Sequence, residues 1–128
     1  MRKIKKPVSR LRKRVERGFR GYPAATIALY GPTNELATKV AVAIFREEGQ
    51  EADPLERWFS ENTDIRQDSA IEDQILTLLR LHNVRSVVMA DRIIGCPHEE
   101  GIDYPDGKSC PKCPYWAGRD HWTGDRIQ

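Results

Sequence analysis

Cysteine is scarce in this chain of 128 residues: there are three, an odd number. An odd set cannot close a disulfide framework on itself, and the basic N-terminus has no apolar stretch behind it of the kind a secretory signal carries. Both absences point to a reducing, cytoplasmic setting, while an acid-poor, Arg-rich start also fits a mitochondrial transit peptide. Long apolar runs are missing too. None approaches the roughly eighteen residues that span a bilayer, so no membrane span is expected. The segment from Gly31 to Lys39 has neither the second glycine nor the Gly-Lys-Ser/Thr ending of a phosphate loop. No Ser/His/Asp set stands out. With 39% hydrophobic and 31% charged residues, the composition is that of one globular domain with appendages.

The cysteines fall in one place. Cys96-Pro97-His98 and Cys110-Pro111-Lys112-Cys113 gather all three, with one of the three histidines, into eighteen residues. Thiolate sulfur and imidazole nitrogen are the donors a tetrahedral zinc ion prefers, and four of them make a closed set with no position left for water or substrate. Gly95, Gly101 and Gly107, with Pro97, Pro105, Pro111 and Pro114, bend the chain between and around the two arms, as a knuckle requires. The expectation is one structural Zn2+ on Cys96, His98, Cys110 and Cys113. His121 in place of His98 has equally plausible spacing. Iron on the same ligands, or three ordinary cysteines in a turn-rich tail, are the other readings.

The block CPHEEGIDYPDGKSCPKCPYW resembles the C-terminal block of small uncharacterised bacterial proteins, and RGFRGYPAATIALYGP is similar to a stretch of the same type. The resemblance covers most of the chain after its basic start. It implies that the cysteine block is a built unit. It implies no activity.

The formal net charge of +2 hides an asymmetry. Residues 1–20 carry Arg2, Lys3, Lys5, Lys6, Arg10, Arg12, Lys13, Arg14, Arg17 and Arg20 against Glu16 alone, which is +9; the remainder carries −7. A basic arm on an acidic body is the pattern of a chain that touches a polyanion at one end. Nucleic-acid phosphate, RNA or DNA, is the partner this favours, with RNA, free or in a ribonucleoprotein, preferred; an anionic membrane surface or a solvated leader would show the same charges. Ile4, Val8, Leu11, Val15 and Phe19 follow helical spacing, so an amphipathic helix between Pro7 and Gly18 is conceivable on a partner. A flexible arm predicts that removing residues 1–20 leaves the domain folded.

The body reads as strand, helix, strand, helix, strand. Ala24 to Tyr30 is a buried strand closed by Gly31-Pro32. Glu35 to Glu48 reads as a helix, with Leu36, Val40 and Ile44 four apart, Thr33 or Asn34 as N-cap and Gly49 after its end. Leu55 to Phe59 is a weaker strand, set off by Asp53-Pro54 and suited to an edge. Ser69 to Glu72 reads as a capping box opening a helix with Ile71, Ile75, Leu78, Leu79 and His82 on one face, stopped by Asn83. Ser86 to Ala90 is a buried strand with Asp91 at its end. The expected fold is therefore α/β: a small two- or three-layer domain with a short, mainly parallel sheet followed by a turn-rich zinc knuckle. The expected boundaries are a flexible arm over 1–20, the α/β body over 21–92, the knuckle over 93–123 and a tail over 124–128. Such a small core is marginal without a metal.

In open parallel sheets the ligand crevice lies beyond the carboxyl ends of the strands. Thr33, Asn34 and Asp91 would line such a pocket, although Thr33, Asn34, Thr63 and Asp64 also suit plain caps and turns. His98-Glu99-Glu100 with Cys110 to Cys113 echoes a zinc deaminase signature, but Ser109 replaces the proline before the first cysteine and the spacing is too short. Tyr104, Tyr115, Trp116 and Trp122, with Lys108, Lys112 and Arg119, could clamp an unpaired base or simply cover the knuckle. No catalytic residue is assigned. The sequence leans to a zinc-stabilised, non-catalytic protein that binds RNA or a ribonucleoprotein through its arm. The alternatives are a small zinc-dependent hydrolase with its pocket at the strand ends, or a protein-interaction adaptor.

Overall fold

The computed structural model describes residues 10–99, 101–107 and 110–116. Four strands, β1 (Ala24–Tyr30), β2 (Lys39–Phe45), β3 (Leu55–Phe59) and β4 (Ser86–Ile93), form one sheet in the order β3-β2-β1-β4. Helix α1 (Arg10–Glu16) and helix α2 (Ser69–Leu81) complete the mixed α/β fold, with 3-10 turns at Ile65–Gln67 and Pro114–Trp116. Alternation fixes the faces. Ala25, Ile27 and Leu29 of β1, Val40, Val42 and Ile44 of β2 and Val87 of β4 are buried and join Leu11, Ile65, Ile75, Leu76 and Leu79 in one core. Both helices therefore lie on the same side of the sheet, and Trp58 of β3 reaches across it to donate to Gln74 of α2 at 2.8 Å. The other side carries the exposed residues Leu55, Phe59 and Val88. No helix among the described residues is long and apolar enough to cross a membrane.

Two expectations are corrected. The sheet is not mainly parallel: β1 pairs with β4 in parallel, but β1–β2 and β2–β3 are antiparallel. The cause is the second correction, since the helix expected over 35–48 is strand β2. A spacing of four is even, so Leu36, Val40 and Ile44 fit a strand as well as a helix. Val40, Val42 and Ile44 alternate strictly with Ala41 and Ala43, and β-branched side chains lose less χ1 freedom on a pleated surface than on a helix. Without that helix there is no crossover between β1 and β2, and a loop over 31–38 returns the chain antiparallel.

Other expectations hold. β3 is an edge strand, and β1 and β4 lie where the apolar runs placed them. α2 begins at Ser69, but its cap is one residue earlier than the expected box: the Asp68 carboxylate accepts from the Ile71 amide at 3.1 Å. Asn83, at φ 52°, turns the chain out of the helix. β4 runs on to Ile93, and its register against β1 shifts between Met89 and Ile93, so Asp91 lies inside the strand in an irregular stretch.

The arm departs from its expected flexibility over the residues described. α1 seats Leu11 in the core, with Val15 packed beside it. Arg14 donates to the Val84 carbonyl at 2.7 Å, and Ser86 Oγ accepts from the Arg20 amide while donating to the Gly21 carbonyl. The helical spacing of Leu11 and Val15 is thus used on the protein's own sheet. Removing residues 1–20 would strip a core residue and a clasp on β4. Arg2, Lys3, Lys5 and Lys6 lie outside the described residues.

The loop over 31–38 is packed backbone to backbone. A Cβ on Gly31 would stand 1.8 Å from the Leu36 carbonyl oxygen. Gly31→Ala is expected to cost more than about 3 kcal/mol, because a backbone atom cannot swing aside; urea unfolding of the variant checks this. Asp64 braces the same loop. Its carboxylate accepts from the Ala37 amide at 3.2 Å and binds Arg66. The Arg66 hydrogen bond, opposed by burial and helped by the two backbone amides, lowers its pKa to about 2. A depressed folded-state pKa contributes stability that is complete above about pH 4 and is lost as pH falls toward 2. Asp64→Asn should lower stability by about 1–2 kcal/mol at pH 7 and flatten that acid limb in urea titrations.

Candidate metal centre

Strand β4 ends at Ile93, and the chain turns through Gly95 into the first cysteine arm. The Gly31 amide donates to the Gly95 carbonyl at 2.9 Å, which ties the start of the knuckle to the end of β1. The second arm is tied to the same residue: Trp116, 5% exposed, donates its indole N–H to the Gly31 carbonyl at 2.8 Å. The two arms close on each other. One donor atom from each of Cys96, His98, Cys110 and Cys113 lies within 4.8 Å of all the others, close enough to hold one metal ion. His98 Nδ1 stands 3.3 Å from the Cys96 sulfur, 3.4 Å from Cys110 and 3.4 Å from Cys113. The sulfur of Cys96 also accepts the His98 amide at 3.2 Å.

Cys96 and Cys113 are buried members of the main hydrophobic core, while Cys110 is half-buried. Burial pushes the Cys96 and Cys113 thiols up from their ordinary range. Burial also acts on Cys110, but the Lys112 amide and the neighbouring sulfurs outweigh it and leave that thiol lowered. Three sulfurs and an imidazole held this close, in the core, form a donor set that suits one soft cation.

A cation already stands behind the first arm. Lys39, at the start of β2, is 3% exposed. Its ammonium donates to the Pro97 carbonyl at 3.1 Å and to Glu99 at 2.9 Å, and it lies over the Tyr30 and Phe59 rings at 5.1 and 5.7 Å. Arg57 of β3 grips the same carboxylate at 2.7 Å. Lys39 first, then Arg57, hold the Glu99 pKa below its ordinary value against the effect of burial. The knuckle therefore caps the strand-end corner of the open sheet face. Sequence reasoning missed Lys39 and Arg57. The helix expected over 35–48 hid Lys39, because a lysine within a helix reads as a solvated charge, and Arg57 within an edge strand reads the same way.

The remaining candidates fare differently. Thr33 Oγ1 accepts from the Glu35 amide at 3.2 Å within a turn, and Asn34 is exposed. A cavity of about 280 Å³ lies elsewhere, under the helices, lined by Leu11, Val15, Leu29, Val40, Ile65 and Ile75 among others. Trp116 anchors the knuckle, packing edge-on against Tyr115 at 5.0 Å, rather than standing free to stack a base. Lys108, Arg119, His121 and Trp122 lie outside the described residues.

Cys113→Ser is expected to unfold the knuckle and expose Trp116, because the lost ligand is also a core residue; a red shift of tryptophan emission at unchanged protein concentration reads this. Lys39→Met should cost about 1–3 kcal/mol by leaving the Pro97 carbonyl without its donor and Glu99 with Arg57 alone. The same substitution combined with Glu99→Gln should recover part of that loss in a double-mutant cycle.

No known protein family, no curated protein and no solved structure matches the chain, so the chemistry of the site rests on its own four donors.

Proposed function

We propose that this chain is a zinc-stabilised, non-catalytic RNA-binding protein, acting on free RNA or within a ribonucleoprotein. The observation that carries the binding role is the concentration of cations in residues 1–20, +9 against an acidic remainder. The part of this segment that is described is held on the body by Leu11, Arg14 and Arg20. Phosphate contacts made from a seated helix need less ordering on binding than contacts from a loose arm.

Zinc is supported by distances. Bonds of about 2.3 Å to sulfur and about 2.0–2.1 Å to nitrogen give a tetrahedral S···N edge of about 3.5–3.6 Å. The three observed separations, 3.3, 3.4 and 3.4 Å, lie just inside that edge. Four protein donors leave no position for water, which favours a structural ion over a hydrolase. An adaptor is the second reading, favoured by Leu55, Phe59 and Val88 at 44%, 61% and 52% exposure on the sheet face opposite α1 and α2.

Elemental analysis of purified protein should return about one zinc per chain, and iron in its place would reassign the ion. Anisotropy titrations with a mixed-sequence single-stranded RNA should give affinity that falls about 300- to 10⁴-fold between 50 and 200 mM salt if six to ten cations touch phosphates. Replacing Arg10, Arg12, Lys13 and Arg17 by Gln keeps Leu11 in place and should abolish most of that binding. Full-length protein that ignores RNA at low salt would refute the reading, and loss of partner capture on Phe59→Ser in its stead would favour the adaptor.

A further inference from the structure

The seating of α1 brings cations of the N-terminal segment beside cations of the body. Arg14 crosses to the Val84 carbonyl, at the corner where α2 gives way to β4. Arg80 occupies the last turn of α2. Arg85 follows Val84, and its guanidinium lies 3.8 Å from where a Gly21 Cβ would stand. Arg20 is clasped to Ser86 through its amide, and its Nε donates to the Arg17 carbonyl. Burial, then Arg17 and Arg80, lower the Arg14 pKa, so Arg14 lies within the field of both neighbours. Arg17, Arg20, Arg80 and Arg85 are exposed. Ion pairs join Arg10 to Asp73, Lys39 and Arg57 to Glu99, and Arg66 to Asp64; among the described residues none joins a carboxylate to a member of this cluster.

The negative end of the α2 dipole accounts for Arg80 alone. It does not account for four more guanidiniums delivered there by two other segments. Like charges held close without carboxylates are unfavourable until an anion arrives. The acids at this end of the sheet, Glu47, Glu48, Glu51 and Asp53, belong to the β2–β3 turn, and Glu16 stands on α1 itself. The cluster thus occupies the flank formed by α1, the end of α2 and the start of β4, away from the metal centre beyond the end of β4.

Resting on the RNA-binding reading above, we propose that the phosphate-binding surface is a composite: Arg14, Arg17 and Arg20 of the N-terminal segment and Arg80 and Arg85 of the body together grip the sugar–phosphate backbone of RNA. The body is then part of the site, and the N-terminal segment alone is an incomplete ligand-binding element. Guanidinium suits the role because its planar fork binds phosphate oxygens in pairs.

The test is the Arg80→Gln, Arg85→Gln double variant of the full chain, titrated against the same single-stranded RNA. Two lost phosphate contacts should reduce the log–log salt slope by about 1.4 and weaken binding about 20-fold near 0.1 M salt. The Arg80→Lys, Arg85→Lys variant should stay within a few-fold of the parent, and thermal melts should show both variants folded, since both side chains are exposed. Lys112→Gln, which removes a cation from the knuckle, should leave the slope unchanged. If the parent and the double variant bind alike while the Arg10, Arg12, Lys13 and Arg17 replacements abolish binding, the composite surface is overturned and the RNA-binding role stands. An equal loss from Lys112→Gln would overturn the location. A parent that binds no RNA would overturn both proposals.

Discussion

Gly31 has space for a hydrogen atom and nothing larger, and the two halves of the molecule meet there. Its amide takes the turn that leaves β4, its carbonyl takes the indole of Trp116, and its α-carbon presses on the backbone of the loop leading to β2. Both cysteine arms are therefore positioned by one residue at the end of β1. The sheet sets the arms, the arms set the four donors, and two of the donors complete the hydrophobic core. Core and metal centre cannot be separated into a scaffold and an attachment.

This junction explains which parts of the structure were legible in the sequence. The donor set was legible because metal ligation depends on residue type and short spacing, and Cys96, His98, Cys110 and Cys113 satisfy both locally. Strands β1 and β4 were legible as continuous β-branched or apolar runs with turn residues beyond them. β2 was not. Its apolar residues at intervals of four satisfy two periods at once, and the partner strands on either side decide between them. The docking of α1 was equally hidden. Leu11 and Val15 announce a helical stripe, but two apolar residues among so many cations do not say whose surface they cover. Lys39 and Arg57 were missed because their partner, Glu99, is distant in sequence and reaches them only after the knuckle has closed.

The fold places its two chemical features at opposite ends of β4. Soft sulfur donors and an imidazole stand beyond its carboxyl end; guanidiniums gather around its amino end. The first kind of site suits tight, permanent occupancy, because its donors are costly to leave empty. The second suits reversible contact, because exposed cations lose little when an anion departs and their attraction is screened within about 10 Å at ordinary ionic strength. One strand thus separates a feature built for stability from one suited to exchange.

The burial of Lys39 has a kinetic side. Its ammonium is satisfied by Pro97 and Glu99, which flank His98, and by two rings from different strands. The Lys39 ammonium at that end of β2 has these two oxygen partners only when the first cysteine arm lies over it. Contacts so far apart in sequence form late, since loop closure must precede the interaction that rewards it. Whatever draws the four donors together therefore also closes the sheet corner over Lys39.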